Sequence, residues 1–166
     1  MAGTPILTHA ETNIKSLILG MTVAGDYNFD WSTVNDEDLA RWEGFPGAVI
    51  TLEPDETNLD DITGVHAGAY LNEVSFKIRV VGKLNYEEHN PVFAINDILN
   101  KCLDDLKKVF GSQPGNSLNG YVDVMQYRRS IRIRKKTGDI FIPTELETFW
   151  MVRYMQDRID PTQGDA

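Results

Sequence analysis

The chain is poor in cysteine and in long hydrophobic runs, and both shortages narrow its class. Cys102 is the one cysteine, so no intrachain disulfide can form and a reducing compartment is expected. The longest apolar run, residues 16–24, is too short and too interrupted to span a bilayer. The N-terminus lacks a basic patch followed by a hydrophobic stretch, so neither a signal peptide nor a membrane anchor is predicted. We therefore expect a cytosolic protein, or part of a particle assembled in the cytosol, with no membrane partner.

Local motifs for catalysis are missing as well. Residues 20–25 have the glycine spacing of a phosphate loop, but Asp26 stands where such a loop needs a lysine. His9, His66 and His89 are far apart in the sequence, without the His-x-x-x-His spacing of a zinc site. No Gly-x-Ser-x-Gly elbow occurs, although a Ser-His-Asp arrangement assembled from distant positions stays open. We predict that the protein is not an enzyme and has no cofactor.

The composition is that of one globular domain with a buried core. The chain has 166 residues, of which 42% are hydrophobic and 25% are charged. We predict a single domain over residues 1–159, followed by a flexible tail over residues 160–166. The formal net charge is −9, so the molecule lacks the positive field that a general affinity for nucleic acid requires. Sequence-specific DNA binding is therefore not expected.

The chain does have strong charge separation along its length. Residues 26–61, called here the acidic segment, contain eleven acidic side chains and one base, Arg41. Residues 128–136, called here the basic run, contain six bases and no acid. If these patches lie at different edges of one protomer, they favour a head-to-tail contact that closes into a ring when the rotation fits. The predicted interface residues are Arg128, Arg129, Arg132, Arg134, Lys135, Lys136, Asp36, Glu37, Asp38, Trp31 and Trp42.

The basic run has two interpretations, and both treat it as a half-buried strand. Alternation predicts that Ile131 and Ile133 point inward while Arg132 and Arg134 point outward. The outward face is then either solvated, or its arginines pair with carboxylates of a partner, for which the guanidinium group is well suited.

Two helices are predicted from apolar residues that recur at three- and four-residue spacing. The first covers about residues 4–21, with Thr4 as its cap and Pro5 in its first turn. The second begins at Asn90 and Pro91, and Gly111 is expected to supply a left-handed exit. Its predicted apolar face consists of Phe93, Ile95, Ile98, Leu99, Cys102, Leu103, Leu106, Val109 and Phe110. Its predicted polar face consists of Asp97, Lys101, Asp104, Asp105, Lys107 and Lys108.

Strands are predicted over much of the remaining chain. Residues 74–80 alternate between apolar and polar, and residues 48–52 form a shorter strand. A third strand begins near residue 122 and contains the basic run, which ends at a turn over residues 136–139. The last strand, about residues 146–156, has apolar residues on both faces, which predicts a central strand or one that meets another subunit.

The order of helix, strands, helix and strands predicts an α+β domain. In this fold class a mostly antiparallel β-sheet packs with two main α-helices. Long irregular stretches at residues 26–45, 54–69 and 111–120 are predicted to be interaction loops.

One carboxylate pattern in the acidic segment has the spacing of a calcium loop. The candidate ligands are Asp26, Asn28, Asp30, Ser32 and Glu37. The sixth loop position is Trp31, however, where the sharp turn of a calcium loop needs glycine. Tyr27, Phe29 and Trp31 alternate with the polar residues, so we favour an acidic loop that is anchored by inward-facing aromatic rings, with calcium as the weaker alternative.

Two short motifs carry a family resemblance. The stretch Tyr27-Asn28-Phe29-Asp30-Trp31, followed by Phe45-Pro46-Gly47-Ala48 at the entry to a strand, resembles the tail terminator (tail completion) proteins of long-tailed bacteriophages. The likeness continues as an order of elements: an alternating strand that ends near Val81, the helix that starts at Asn90-Pro91, and a final strand that leads into Asp160-Pro161. It covers most of the chain.

The resemblance implies a structural role in the virion. A tail terminator forms a ring, commonly hexameric, that caps the tail tube, ends its polymerisation and offers a docking surface to the head connector. It implies no catalytic residue and no cofactor. The expected partners are further copies of the chain, the tail tube protein and the connector protein. DNA would pass through the lumen without specific binding, since a negative lumen does not hold it.

Two alternative functions remain beside this expectation. The first is another structural protein of the phage neck or tail, such as a head-completion or tube protein. The second is a soluble domain that binds a cation in the acidic segment.

Overall fold

The computed structural model describes residues 5–58, 69–84, 89–112 and 115–157. Among these residues, no helix combines the length and the apolar character needed to cross a bilayer. The predicted cap Thr4, the predicted tail 160–166 and residues 59–68 of one predicted loop lie outside the described residues.

Both predicted helices are present. Helix α1 spans Ile6–Leu19 and buries one stripe on its inner face. Helix α2 spans Pro91–Gly111 and is capped by the Asn90 side chain, which accepts a hydrogen bond from the Phe93 backbone N–H at 3.4 Å. The buried stripe of α1 consists of Ile6, Ala10, Ile14 and Ile18. The predicted spacing of apolar residues in α1 is therefore confirmed.

Three details of the predicted α2 are wrong. Gly111 is the last helical residue and does not have a positive φ, because the chain leaves the helix through an extended Ser112. Phe93 is 70% exposed, since it lies in the first turn, beyond the main part of the core. Asp105, predicted on the polar face, is only 1% exposed. Its carboxylate is covered by the start of the acidic segment, to which it is hydrogen-bonded.

The strands form one five-stranded sheet in the described part of the chain. They are β1 (Ser32–Thr33), β2 (Gly47–Asn58), β3 (Ala69–Val81), β4 (Val124–Thr137) and β5 (Ile140–Asp157). The order across the sheet is β1-β2-β3-β5-β4. The pairing of β1 with β2 is parallel and all other pairings are antiparallel. With two helices on this mostly antiparallel sheet, the protein has the predicted α+β fold.

The core lies between the helices and one face of the sheet. On β3 the alternating residues from Val74 to Val80 face this core, as their spacing predicts. Strand β5 is an inner strand between β3 and β4, and it contributes Trp150, Val152 and Tyr154 to the same core. Its opposite face carries the buried Met151, so the prediction of a central strand with two apolar faces is confirmed.

The predicted interaction loops contain more structure than expected. Residues 47–58 of the sheet extend into one of them, and β1 lies within another. In the third, a short 3-10 helix, Gly115–Ser117, positions Leu118, which is fully buried in the core. These stretches are therefore partly framework of the fold.

Candidate interaction surfaces at the two sheet edges

A buried carboxylate on α2 holds the start of the acidic segment against the body of the protein. Asp105 accepts hydrogen bonds from the Asn28 backbone N–H at 2.9 Å and from the Asn28 side-chain amide at 2.8 Å. It also accepts one from the Trp31 indole N–H at 2.9 Å. Burying a carboxylate is unfavourable unless its oxygens are hydrogen-bonded, and here three separate donors satisfy it. The segment from Asn28 to Trp31 is thus fixed to α2 chiefly through Asp105, with a further hydrogen bond from the Asn28 side chain to the Lys101 carbonyl at 3.3 Å.

The aromatic residues of this segment face inward, as predicted. Tyr27, Phe29 and Phe45 are partly buried against the main core, and the rings of Phe29 and Phe45 meet edge to face at 5.7 Å. Trp31 is a core residue with 4% of its surface exposed. Its predicted place in an interface is therefore wrong, because both the ring and its N–H are used inside the protomer.

The candidate calcium ligands are not brought together into a cation site in the described part of the chain. Asp30 accepts a hydrogen bond from the Val23 backbone N–H at 2.8 Å, and Asn28 is committed to Asp105. Asp26 pairs with Lys108 at 3.2 Å, and Glu37 lies farther along the chain in a 3-10 helix. Within the described residues, no group of three or more His, Cys, Asp or Glu side chains could hold a metal ion. The polar residues at this spacing are thus used for hydrogen bonds and an ion pair inside the protomer.

The acidic edge of the sheet lies beyond β1. There a 3-10 helix, Asp36–Arg41, begins with three successive carboxylates. Asp36 pairs with Arg79 of β3 at 3.0 Å, while the side chains of Glu37 and Asp38 are exposed and have no ion-pair partner among the described residues. Trp42 follows and partly covers a small apolar cluster formed by Val34, Val49 and Val81. A role for Trp42 in an interface stays a prediction.

A groove of about 250 Å³ opens at this edge. It lies where α1, the segment after β1 and the outer side of β2 meet, and its lining includes the carboxylates of Glu11, Asp36 and Glu37. Among the described residues of the lining, Lys15 is the one base, and it pairs with Glu11 at 2.8 Å. The groove therefore has an excess of negative charge above the apolar side chains of Val49 and Ile50.

The alternation predicted for the basic run is reversed. Ile131 and Ile133 are 41% and 36% exposed, and they lie opposite Glu147 and Glu145 on the face away from the helices. Arg132 lies opposite the core residue Leu146 and donates a hydrogen bond to the Asn100 side chain of α2.

A β-bulge causes this reversal. The register of β4 against β5 shifts between Tyr127 and Arg129, so the side chains after the bulge point to the opposite face from the one that simple alternation predicts. Tyr127 packs edge to face on the core residue Trp150, whereas Arg129 lies over the ring of Phe149 on the open face. The sequence carries no local signal for this bulge.

The six bases of the basic run differ in what they contact. Arg128 lies 4.0 Å from Glu73, and Arg129 and Arg132 have the contacts just described. The side chains of Arg134, Lys135 and Lys136 are exposed and form no ion pair with any described residue. An interface role for the basic run stays a prediction, and the three bases at its end are the ones that no described acid pairs with.

The end of the basic run lies in a hairpin that extends past the rest of the sheet. Strand β3 pairs with β5 only as far as Leu146, while β4 and β5 continue to pair through Thr137 and Ile140. No third described strand accompanies this part. The hairpin turns at Gly138, whose φ of 65° fits the predicted turn.

The acidic segment and the basic run lie at opposite edges of one sheet. The sheet order places β1 at one edge and β4 at the other. The two patches are therefore separated by the full width of the sheet, and the unpaired acids beyond β1 cannot meet the unpaired bases of the same protomer through the sheet.

Two further ionisable groups, Cys102 and Tyr154, are buried inside the protomer. Burial raises the pKa of the Cys102 thiol above its ordinary range, and the nearby Asp105 carboxylate adds to the effect. Cys102 is a fully buried core residue, as predicted, and such a thiol is a poor nucleophile. Burial, with Glu56 as the next cause, likewise raises the pKa of Tyr154, whose hydroxyl donates a hydrogen bond to Glu56 at 3.0 Å.

No family model matches the chain, and the curated proteins contain no match to it.

Proposed function

We propose that this protein is a structural component of a phage virion that assembles into a ring, caps the tail tube and ends its polymerisation. The exposed surface of the ring would then serve as the docking site for the head connector. The partners are further copies of the chain, the tail tube protein and the connector protein, and the protein has no enzymatic activity.

The observation that carries the proposal is the separation of opposite charges to the two edges of the sheet. Each protomer has an acidic patch at one edge of its sheet and a basic patch at the other. When copies are arranged head to tail around an axis, the acidic edge of one copy therefore lies beside the basic edge of the next. Such a head-to-tail contact leaves both faces of a closed ring available to other proteins. A terminator needs this arrangement, because one face must bind the tube and the other must stop further addition.

The residues that carry the family resemblance also support the proposal. Asn28 and Trp31 of the first motif are the donors that bind Asp105, and Phe29 contacts Phe45 of the second motif. The two motifs thus build a shared anchor for the acidic segment. This is the kind of framework role that a fold-defining motif would have.

Native mass spectrometry of the purified protein tests the ring. We expect one closed oligomer, and we expect high salt to weaken it because exposed charges are screened beyond about 8 Å at physiological ionic strength. A species that stays monomeric at all protein concentrations in low salt would argue against the proposal.

A phage deletion tests the place of the ring in the virion. Without the protein, electron microscopy should show tails of uncontrolled length that fail to join heads. Tails of normal length that carry heads would contradict the proposed function. Supplying the wild-type protein in trans is the control, and it should restore complete particles.

A further inference from the structure

Both lateral edges of the sheet have unpaired strand backbone in the described part of the chain. Strand β1 is two residues long and pairs only with Gly47 and Ala48, so β2 has no described neighbour on its outer side from Val49 onward. At the other edge, β4 pairs with β5 alone along its whole length. Unpaired N–H and C=O groups in a row are a template for another strand.

The surroundings of these two edges have opposite charge. The outer side of β2 at Val49 and Ile50 lies in the groove that carries Glu11, Asp36 and Glu37. The end of β4 carries the exposed bases Arg134, Lys135 and Lys136. Such charges at an edge ordinarily discourage the addition of an identical strand, but they favour the addition of a strand of opposite charge.

The strand directions at the two edges are compatible with pairing between copies. Three successive antiparallel pairings separate β2 from β4, so these two strands run in opposite directions in one protomer. If the next copy is placed beside the first with its sheet continuing in the same sense, β4 of one copy meets β2 of the next in an antiparallel arrangement. The junction therefore continues the pattern of the sheet itself.

We propose that β4 of one copy adds as an antiparallel strand to the open edge of β2 in the next copy, with its terminal bases against the acidic groove. This inference rests on the ring of the proposed function and names the contact that builds it. The occupant of the groove is a second copy of this chain. Backbone hydrogen bonds and the complementary charges together supply the affinity, and the charges also select the direction and the register.

The length of the junction is limited by an irregularity in β2. The register of β2 against β3 shifts between Leu52 and Glu56, and Pro54, which has no backbone N–H, lies within this shift. The regular open edge is therefore residues 49–52. This short stretch lies next to the groove, where the bases of β4 would find their carboxylate partners.

Disulfide trapping between two variants, each carrying one introduced cysteine, tests the junction. Thr51→Cys on β2 is mixed with Ile133→Cys, Arg134→Cys or Lys135→Cys on β4, one at a time, under mild oxidation. Each of these residues is exposed, and the native Cys102 is buried and contributes no background. Because the tested cysteines are on different molecules, a disulfide in the mixture reports a contact between copies.

We expect covalent dimers in the mixtures and not in the separate variants. The yield should alternate along β4, since successive side chains of a strand point to opposite faces. The best pair should exceed a control mixture of Thr51→Cys with the exposed Phe93→Cys by roughly tenfold or more, because a formed junction holds the thiols at an effective concentration on the order of millimolar.

The result that would overturn strand addition differs from the result that would overturn the proposed function. Rings in native mass spectrometry without a disulfide above the control would overturn strand addition and leave the ring intact. Equal disulfide formation by a single variant alone would also overturn it, because that pattern indicates a two-fold contact between identical edges. The absence of any oligomer of the wild-type protein would instead remove the proposed function.

Discussion

The acidic segment and the basic run are opposite in charge, and they also differ in how far they are tied to the protomer. Most of the acidic segment is held from within: Asn28 and Trp31 bind the buried Asp105, and Asp36 pairs with Arg79. The basic run begins in the same way, with Arg132 bound to α2, but its last three side chains contact no described acid.

This difference separates folding from assembly. Charges that are paired inside a protomer set the position of a segment, whereas exposed and unpaired charges next to an open strand edge remain available to a partner. We therefore expect changes near the start of the acidic segment to reduce the stability of the protomer. Changes at the end of the basic run should alter association and leave stability nearly unchanged.

Asp105→Ala should have the largest effect on stability. It removes the acceptor of the partly buried Asn28 backbone and side-chain groups and of the buried Trp31 indole, and a buried donor left without an acceptor costs about 1–3 kcal/mol. We expect a loss of about 3 kcal/mol or more in the free energy of unfolding, measured by urea denaturation.

The neighbouring Asp104→Ala is the matched control for this substitution. Asp104 is exposed, so its removal should change the unfolding free energy by no more than about 0.5 kcal/mol. Equal effects of the two variants would contradict the role of Asp105 as the anchor of the acidic segment.

Gly82→Ala should have the next largest effect. Gly82 has a φ of 130°, and a Cβ at this position would lie 2.2 Å from the Gly44 carbonyl oxygen. The substitution must therefore push the acidic segment away from the end of β3, for which we expect about 2 kcal/mol or more of destabilisation.

Gly138→Ala supplies the comparison for Gly82. Gly138 also has a positive φ, but a Cβ there would meet nothing within 4 Å. The loss in the free energy of unfolding, measured by urea denaturation, should stay near the cost of about 1–2 kcal/mol for holding a residue with a Cβ atom in the left-handed conformation. If Gly82→Ala proves as mild as Gly138→Ala, the close contact with Gly44 does not constrain the segment.

Alkaline pH should lower the free energy of unfolding through Tyr154, whose hydroxyl donates a hydrogen bond to Glu56 of the acidic segment. Burial and Glu56 raise the pKa of Tyr154 in the folded state above its ordinary value of 10.0. This stabilisation is complete below pH 10 and is lost above it, because the unfolded chain then releases the tyrosine proton while the folded protein retains it. The loss from this group should approach about 1.4 kcal/mol per pH unit.

The measurement is the urea midpoint between pH 9 and pH 11 in the wild-type protein and in Tyr154→Phe. The variant should lose stability less steeply with pH, whatever its stability at neutral pH. Parallel curves for the two proteins would show that Tyr154 does not ionise preferentially in the unfolded state.

The smallest effect on stability is expected at the end of the basic run. Changing Arg134, Lys135 and Lys136 together to serine should alter the unfolding free energy by no more than about 0.5 kcal/mol, since the exposed side chains have no described partner. Thermal unfolding in dilute solution would check this. A large loss of stability would mean that these bases support the protomer itself.

The parts of the fold that depend on local periodicity could be predicted from the sequence. The apolar stripe of α1, the alternation in β3 and the position of β5 inside the sheet all follow from the spacing of apolar residues. The inward aromatic rings of the acidic segment follow from the same kind of pattern.

The burial of Asp105 and the β-bulge in β4 depend on contacts between distant parts of the chain, so neither could be predicted from the sequence. Asp105 is buried because Asn28 and Trp31 fold over it from more than seventy positions away, so the helix alone gives no sign of it. The bulge after Tyr127 exchanges the faces of Ile131 and Arg132, and it is visible only in the pairing with β5.

The most direct test of head-to-tail association is sedimentation velocity on a mixture of two variants, each neutralised at one edge. One variant carries Glu37→Ser and Asp38→Ser, and the other carries Arg134→Ser, Lys135→Ser and Lys136→Ser. Each variant alone lacks the exposed, unpaired charges of one half of every contact, so it should be monomeric at protein concentrations at which the wild-type protein associates. Their equimolar mixture retains one intact acidic edge and one intact basic edge, so it should form dimers and stop there. A mixture that stays monomeric, or a single variant that still forms the wild-type oligomer, would contradict the account.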